Sequence, residues 1–178
     1  SIREYQPGDS FNRIHWRSTA RSGQLMVKEF ELDPTAEIYL VLDMENDLVH
    51  ADGFNGKAAY GEQVRGRRII ENTRHALDKA RQAGIHIGFV RVGFSPDYRE
   101  CPPHSPIFSG ARKNGIFQLG TFGTQTHPDL GQQASDFDII KHRVSPFYST
   151  SLEAILRAHG IRRIYCSGVS TNAVVQAT

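Results

Sequence analysis

Cysteine is scarce in this chain: Cys101 and Cys166 are the only two among 178 residues. Two thiols cannot build the disulfide framework of a small secreted domain, so a reducing cytoplasm is the expected compartment. No apolar run approaches the ~20 residues that cross a bilayer. The N-terminal Ser1-Ile-Arg-Glu-Tyr5 likewise lacks the apolar core of a secretory signal. An excess of either charge is missing as well: 21 Lys and Arg face 19 Asp and Glu, a net charge of +2. That balance argues against a nucleic-acid partner and against an anionic membrane surface. There is no internal repeat and no low-complexity tract. With 39% hydrophobic and 22% charged residues, the chain has the composition of a globular domain of ordinary size with a sizeable core.

Organisation changes near residue 34. Residues Arg3 to Arg21 are polar, with a turn signal at Pro7-Gly8-Asp9; Gln24 to Leu32 alternates like a strand, and Asp33-Pro34 breaks it. An arm over 1–33 and a domain over 34–178 are expected. The domain opens with a buried strand, Glu37 to Leu42, ending at Asp43. Helical spacing follows from about Glu62 to Ala83, stopped by Gly84, and then a strand at Ile85–Val92. Gly93 to Gln125 is a Pro- and Gly-rich excursion of the kind that carries function. Asp138 to Lys141 is a strand. Thr150 to Glu153 has the pattern of a capping box, opening a helix with Leu152, Ile155 and Leu156 inward. Ile161 to Ser167 is the last strand, and Gly168 turns into a further helix. The chain stops at Thr178, inside that helix, so the domain is expected to be incomplete at its C-terminus. Strands separated by helices imply a three-layer α/β domain around a parallel sheet.

In such sheets chemistry gathers beyond the carboxyl ends of the strands. Asp43, Lys141 and the Gly168 turn stand there. A carboxylate and an ammonium so placed would perturb each other and could move protons, although a lone strand-end charge is more often a surface ion-pair member. Cys166 reads as a small core hydrophobe and Cys101 as a bystander loop thiol.

Several segments are familiar together. Leu42-Asp-Met-Glu-Asn-Asp-Leu-Val49, Gly120-Thr-Phe-Gly123 with Pro128-Asp-Leu130, Ile139-Ile-Lys-His-Arg-Val-Ser-Pro-Phe147, Thr150-Ser-Leu152 and Gly168-Val-Ser-Thr-Asn172 resemble the isochorismatase-like, or cysteine hydrolase, superfamily. The likeness runs from about Thr35 to the C-terminus. It implies a Rossmann-like fold and a triad of Asp, Lys and Cys, with Asp43 and Lys141 as the first two members. It puts Val169-Ser170 where the family often has a cis peptide that aims backbone N–H groups at an oxyanion. Asn46, Phe147 and Thr171 fall at substrate-binding positions. The nucleophile position is Val174, which offers neither thiol nor proton. The implied activity is hydrolysis of a small polar molecule at an amide or ureide C–N bond or at an enol ether. As in true isochorismatases, an aspartic acid and water could act without a cysteine. A catalytically silent small-molecule-binding module is the alternative. His104, His127 and His142 do not follow the related nicotinamidases' metal pattern and read as scattered surface residues, so neither a metal nor another cofactor is expected. A homo-oligomer is expected, with a small-molecule substrate and with neither nucleic acid nor membrane as partner.

The arm carries a different likeness. Residues 2–43 resemble the start of an uncharacterised family found beside MoxR-type ATPases, whose members have a von Willebrand A-like domain. There the strand-ending aspartate begins an Asp-x-Ser-x-Ser metal motif; here Met44, Glu45, Asn46 and Asp47 follow Asp43, and the serines are absent. An interaction protein of this MoxR-associated kind is a third reading. The basic residues Arg3, Arg13, Arg17, Arg21 and Lys28 read as a solvated face, and Trp16 as a docking or partner-facing residue.

Overall fold

The computed structural model describes residues 2–7, 9, 14–28 and 36–178, which divide into two units, Ser1–Thr35 and Ala36–Thr178. In the first unit β1 (Ile2–Glu4) pairs antiparallel with β2 (Met26–Lys28), Arg3 opposite Val27. Between them lies α1 (Trp16–Ser22). The His15 ring caps its start by accepting from the Ser18 N–H, and Gly23 closes it at φ +72°. Ile14 and Val27 are buried, whereas Trp16 is 67% exposed. The strand expected over 24–32 is thus three residues long among the described residues. The Asp33-Pro34 break, Arg13 and the end of that strand lie outside them.

The second unit is built on β3 (Ala36–Leu42), β4 (His86–Val92), β5 (Phe137–Lys141) and β6 (Ile161–Gly168). They form one parallel sheet in the order β5-β4-β3-β6. Side chains alternate across a strand, and β3 divides its apolar run accordingly. Tyr39 and Val41 join Ile87 and Phe89 under α3 (Ala59–Gly66) and α4 (Ile69–Gln82). Ile38, Leu40 and Leu42 join Val90 and Ile139 under α6 (Leu152–Ala158) on the opposite face. Helices on both faces of a parallel sheet make the three-layer, Rossmann-like α/β architecture. A short α2 (Asn46–Val49) follows β3, and α5 (Ser109–Asn114) lies in the excursion after β4. The chain winds from β3 out to β5, then returns to set β6 on the other side of β3. The switch point is therefore between the carboxyl ends of β3 and β6.

Three local expectations are corrected. The helix expected over 62–83 is two helices, broken at Arg67-Arg68 where Arg68 takes φ +51°. The capping box at Thr150 does not close as drawn. The Thr150 hydroxyl does accept from the Leu152 N–H at 3.1 Å, but Glu153 pairs with Arg157 one turn along at 2.6 Å, because the guanidinium offers a charged partner. After Gly168 there is a turn and a 3-10 segment, Val175–Ala177, in place of an α-helix, with Val174 and Val175 both donating to the Ser170 carbonyl. Among the described residues no helix is long and apolar enough to cross a membrane.

Candidate active site

Backbone geometry at the switch point fixes the site before any side chain acts. Asp43 leaves β3 with φ +56°, and its N–H donates to the Val90 carbonyl at 2.8 Å. Gly168 ends β6 at φ +156°, and a Cβ there would stand 2.1 Å from the Leu42 carbonyl oxygen. Glycine is what lets the two strand ends close up. Val169 then donates to that same Leu42 carbonyl at 3.3 Å, and the Val169–Ser170 peptide is cis.

Lys141 ends β5, two strands from β3 and thus about 10 Å away. β4 lies between the two strands, and Nζ reaches within 2.9 Å of Asp43 Oδ1 while donating to the Val144 carbonyl at 2.7 Å. The ammonium is wholly buried. The contact to Asp43 is a close, buried ion pair. Burial raises the Asp43 carboxyl, Lys141 draws it back, and it stands at about 6.

A second carboxyl lies beneath it. Glu45 is fully buried; Oε1 accepts from the Val92 N–H at 3.2 Å and Oε2 has no partner. Burial, then the negative charge of Asp43, push it well above the ordinary carboxylate range. Two carboxyls beside one ammonium would leave a surplus charge in a dry site, so this setting favours the protonated form of Glu45 over the ionised one. Burial, then Asp43 and Glu45, push the Tyr60 phenol up to about 12.

A cavity of about 290 Å³ opens onto this cluster. Asp43, Val169, Ser170 and Val174 line it, with Asn55 and Tyr60 beside them. The excursion supplies the facing wall through Ile107, Phe108, Asn114 and Phe117. Lys141 acts from behind the wall. The other expected contacts do not reach the cavity. The Asn46 amide turns away to donate to the Phe122 carbonyl at 3.0 Å, and both Phe147 and Thr171 face solvent. Neither thiol lines it: Cys166 packs under α6, and Cys101 donates to the Phe108 carbonyl at 3.3 Å. Burial pushes both thiols up. His104 is exposed and His142 is half-buried with Nδ1 2.6 Å from the Gly93 carbonyl. His127 departs from the surface reading: it is buried, accepts from the Asp129 N–H at 3.2 Å, and burial lowers its pKa. Among the described residues no cluster of three His, Cys, Asp or Glu side chains is disposed to hold a metal ion.

With this geometry, residues 37–178 match the Isochorismatase domain. The chain belongs to the isochorismatase family. Among curated members it is 32% identical over 158 residues to ureidoacrylate amidohydrolase RutB of Methylorubrum extorquens, covering 82% of this chain and 63% of that protein. The same enzyme of Yersinia enterocolitica is 31% identical over 156 residues, with 81% and 67% covered. The chain thus spans about two thirds of the length of these relatives. Among solved structures, a cysteine hydrolase from Pseudomonas syringae aligns with a TM-score of 0.69 at 20% identity, over 84% of this chain and 67% of that one. N-carbamoylsarcosine amidase from Thermoplasma acidophilum aligns at 0.62 and 24% identity, over 80% and 73%. Residues 1–57 match a second family, a protein of unknown function designated DUF58, so that 37–57 satisfy both patterns.

The sequence points to the excursion Phe94 to Phe122 as a pocket wall, and Ile107, Phe108, Asn114 and Phe117 line the cavity; it does not single out Glu45 or Tyr60. Glu45 registered only as a non-serine after Asp43. Its spacing of two from a strand-end aspartate was the available signal, but only the tertiary packing shows that both carboxyls are dry.

Proposed function

We propose that this isochorismatase-family chain is a hydrolase of small polar molecules that cleaves an amide or ureide C–N bond, with water as nucleophile and Asp43 as proton carrier. One observation carries the reading: the Asp43 carboxyl lines the cavity, is held from behind by Lys141, and stands at about 6. Such a group is mostly ionised near neutral pH and can accept a proton and return it. Val174, on the same wall, has no atom that could form a covalent intermediate. The water oxygen attacks the carbonyl carbon while Asp43 removes one of the water's protons, and the carbonyl electron pair moves onto oxygen beside the Val169–Ser170 backbone. The adduct then re-forms its carbonyl and expels the nitrogen, which takes the proton back from Asp43. Lys141 steadies the carboxylate from 2.9 Å. The name of the ureidoacrylate amidohydrolases supports C–N chemistry. For an enol ether, the second substrate type, the protonated Asp43 would act first as the acid.

The test is turnover of amides, ureides and isochorismate followed by mass spectrometry for the wild type and Asp43→Asn. Turnover that disappears with Asp43→Asn is the expected result. A cooperatively melting protein with no turnover is instead the silent binding module, the reading that Val174 favours. We further propose a cytoplasmic homo-oligomer whose partner is its small-molecule substrate rather than nucleic acid or membrane, supported by the near-neutral charge. For the arm we propose docking to a MoxR-type ATPase, supported by the exposed Trp16. A pull-down with such an ATPase tests it, and loss of capture on Trp16→Ala is expected.

A further inference from the structure

We propose that Tyr60 is a catalytic residue of this site, its hydroxyl donating a hydrogen bond to the oxygen of the scissile amide or ureide carbonyl. This rests on reading the cavity as the hydrolase site, and adds a donor to the Val169–Ser170 backbone beside that oxygen. Tyr60 lines the cavity together with Asp43, Val169 and Ser170. It stands in the first turn of α3, where backbone contacts fix its place. A Cβ on the next residue, Gly61, would lie 1.9 Å from the Gly56 carbonyl oxygen, so glycine lets α3 start hard against the loop before it. Arg65, further along the same helix, ties that corner by donating to the Gly56 carbonyl at 3.2 Å. The Tyr60 ring packs against the core cluster that holds Val49, Val64 and Val169.

A ring packed in this way can place a polar group at a cavity with little loss of freedom on binding. The setting of the hydroxyl decides how it serves. Burial, then Asp43 and Glu45, hold the phenol at about 12, so it keeps its proton through the neutral range and is available as a donor. An amide or ureide carbonyl is an acceptor, and its oxygen gains negative charge as water adds to the carbon. A neutral O–H beside that oxygen binds the substrate weakly and the adduct more strongly, which raises kcat. Asp43 takes the water's proton and Tyr60 steadies the carbonyl oxygen, so the two tasks fall to different side chains. The contact is to the carbonyl, and holds for a ureide with or without a carboxylate at its far end.

The experiment pairs N-carbamoylglycine and propionamide each with the twin in which sulfur, a weaker acceptor, replaces the carbonyl oxygen. Turnover and calorimetric binding are measured on the full chain, for wild type and for Tyr60→Phe, which keeps the ring and removes only the hydroxyl. Tyr60→Phe should weaken affinity for the oxygen compounds by roughly 3- to 10-fold and lower kcat by on the order of 100-fold. Affinity for the sulfur twins should change by less than about twofold, with the melting temperature unmoved. Equal losses of affinity on both twins overturn the proposal, as does failure of the wild type to bind either oxygen compound. Unchanged turnover and affinity in Tyr60→Phe overturn it as well, while wild-type turnover leaves the hydrolase reading standing. An oxygen-selective loss of affinity in a protein that turns nothing over upholds the contact, and the hydrolase reading falls.

Discussion

Asp43 stands where burial and an ammonium act in opposite directions on one carboxyl, and its working range follows from their sum. Activity on amides or ureides requires the ionised form, so kcat/KM should fall as pH drops through about 6. Turnover of an enol ether, which requires the protonated form, should instead rise over the same interval. A pH–rate profile on one substrate of each type checks both. Glu45 makes a separate prediction through stability. Its proton affinity is raised in the folded state above the ordinary 4.5. The stabilisation linked to that proton is full below 4.5 and is lost as pH rises, because the unfolded chain releases the proton and the folded one keeps it. Glu45→Gln removes that loss. Its melting temperature relative to wild type should therefore rise as the pH climbs above 4.5. Lys141 and Asp43 stand out in the sequence because each closes an apolar strand run and falls within a segment that carries the family likeness. Glu45 does not, since nothing in a one-dimensional pattern says which of two carboxylates two residues apart lies in a dry interior.

Between elements, the cavity wall hangs on a few ties that cross from the sheet to the excursion. The Asp47 carboxylate, on α2, accepts from the Phe117 N–H at 2.7 Å and thereby holds the facing wall. Gly123 passes so close that a Cβ would stand 2.2 Å from the same carboxylate. Asp47→Ala leaves the Phe117 N–H unsatisfied and should cost about 1–3 kcal/mol in chemical denaturation, with KM rising more than kcat falls. Element identity in the second unit was readable wherever burial imposes a period: β3, β4 and α6 follow their apolar spacing closely. The excursion was not, because its order comes from packing Phe94, Tyr98, Phe108 and Phe117 into a cluster of their own. The split between α3 and α4 escaped for a similar reason, since Arg67-Arg68 has no glycine or proline to mark it.

At the scale of the whole molecule, protection should follow position in the sheet. β3 and β4 are bonded on both sides, whereas β5 and β6 are each bonded on one. Hydrogen exchange should be slowest in β3 and β4, and should divide β5 and β6 into slow inward and fast outward amides. Fold class was legible at this scale because alternating strands and helices admit few arrangements. The meeting of two families was legible too, though the boundary between units, drawn at 33/34 from the Asp-Pro break, falls at 35/36 by contact. All four parallel strands lie within 36–178. A protein beginning at Ala36 is therefore expected to melt in a single cooperative transition, which calorimetry would show. β3 and the turn after it then have a second meaning, one of pattern rather than energy. Residues 37–57 conform to two family patterns at once, so a chain that changes from one pattern to the other within them keeps both. The strand is a shared coupling, and a designer wishing to mount a different leader on this sheet would cut where the two patterns already agree.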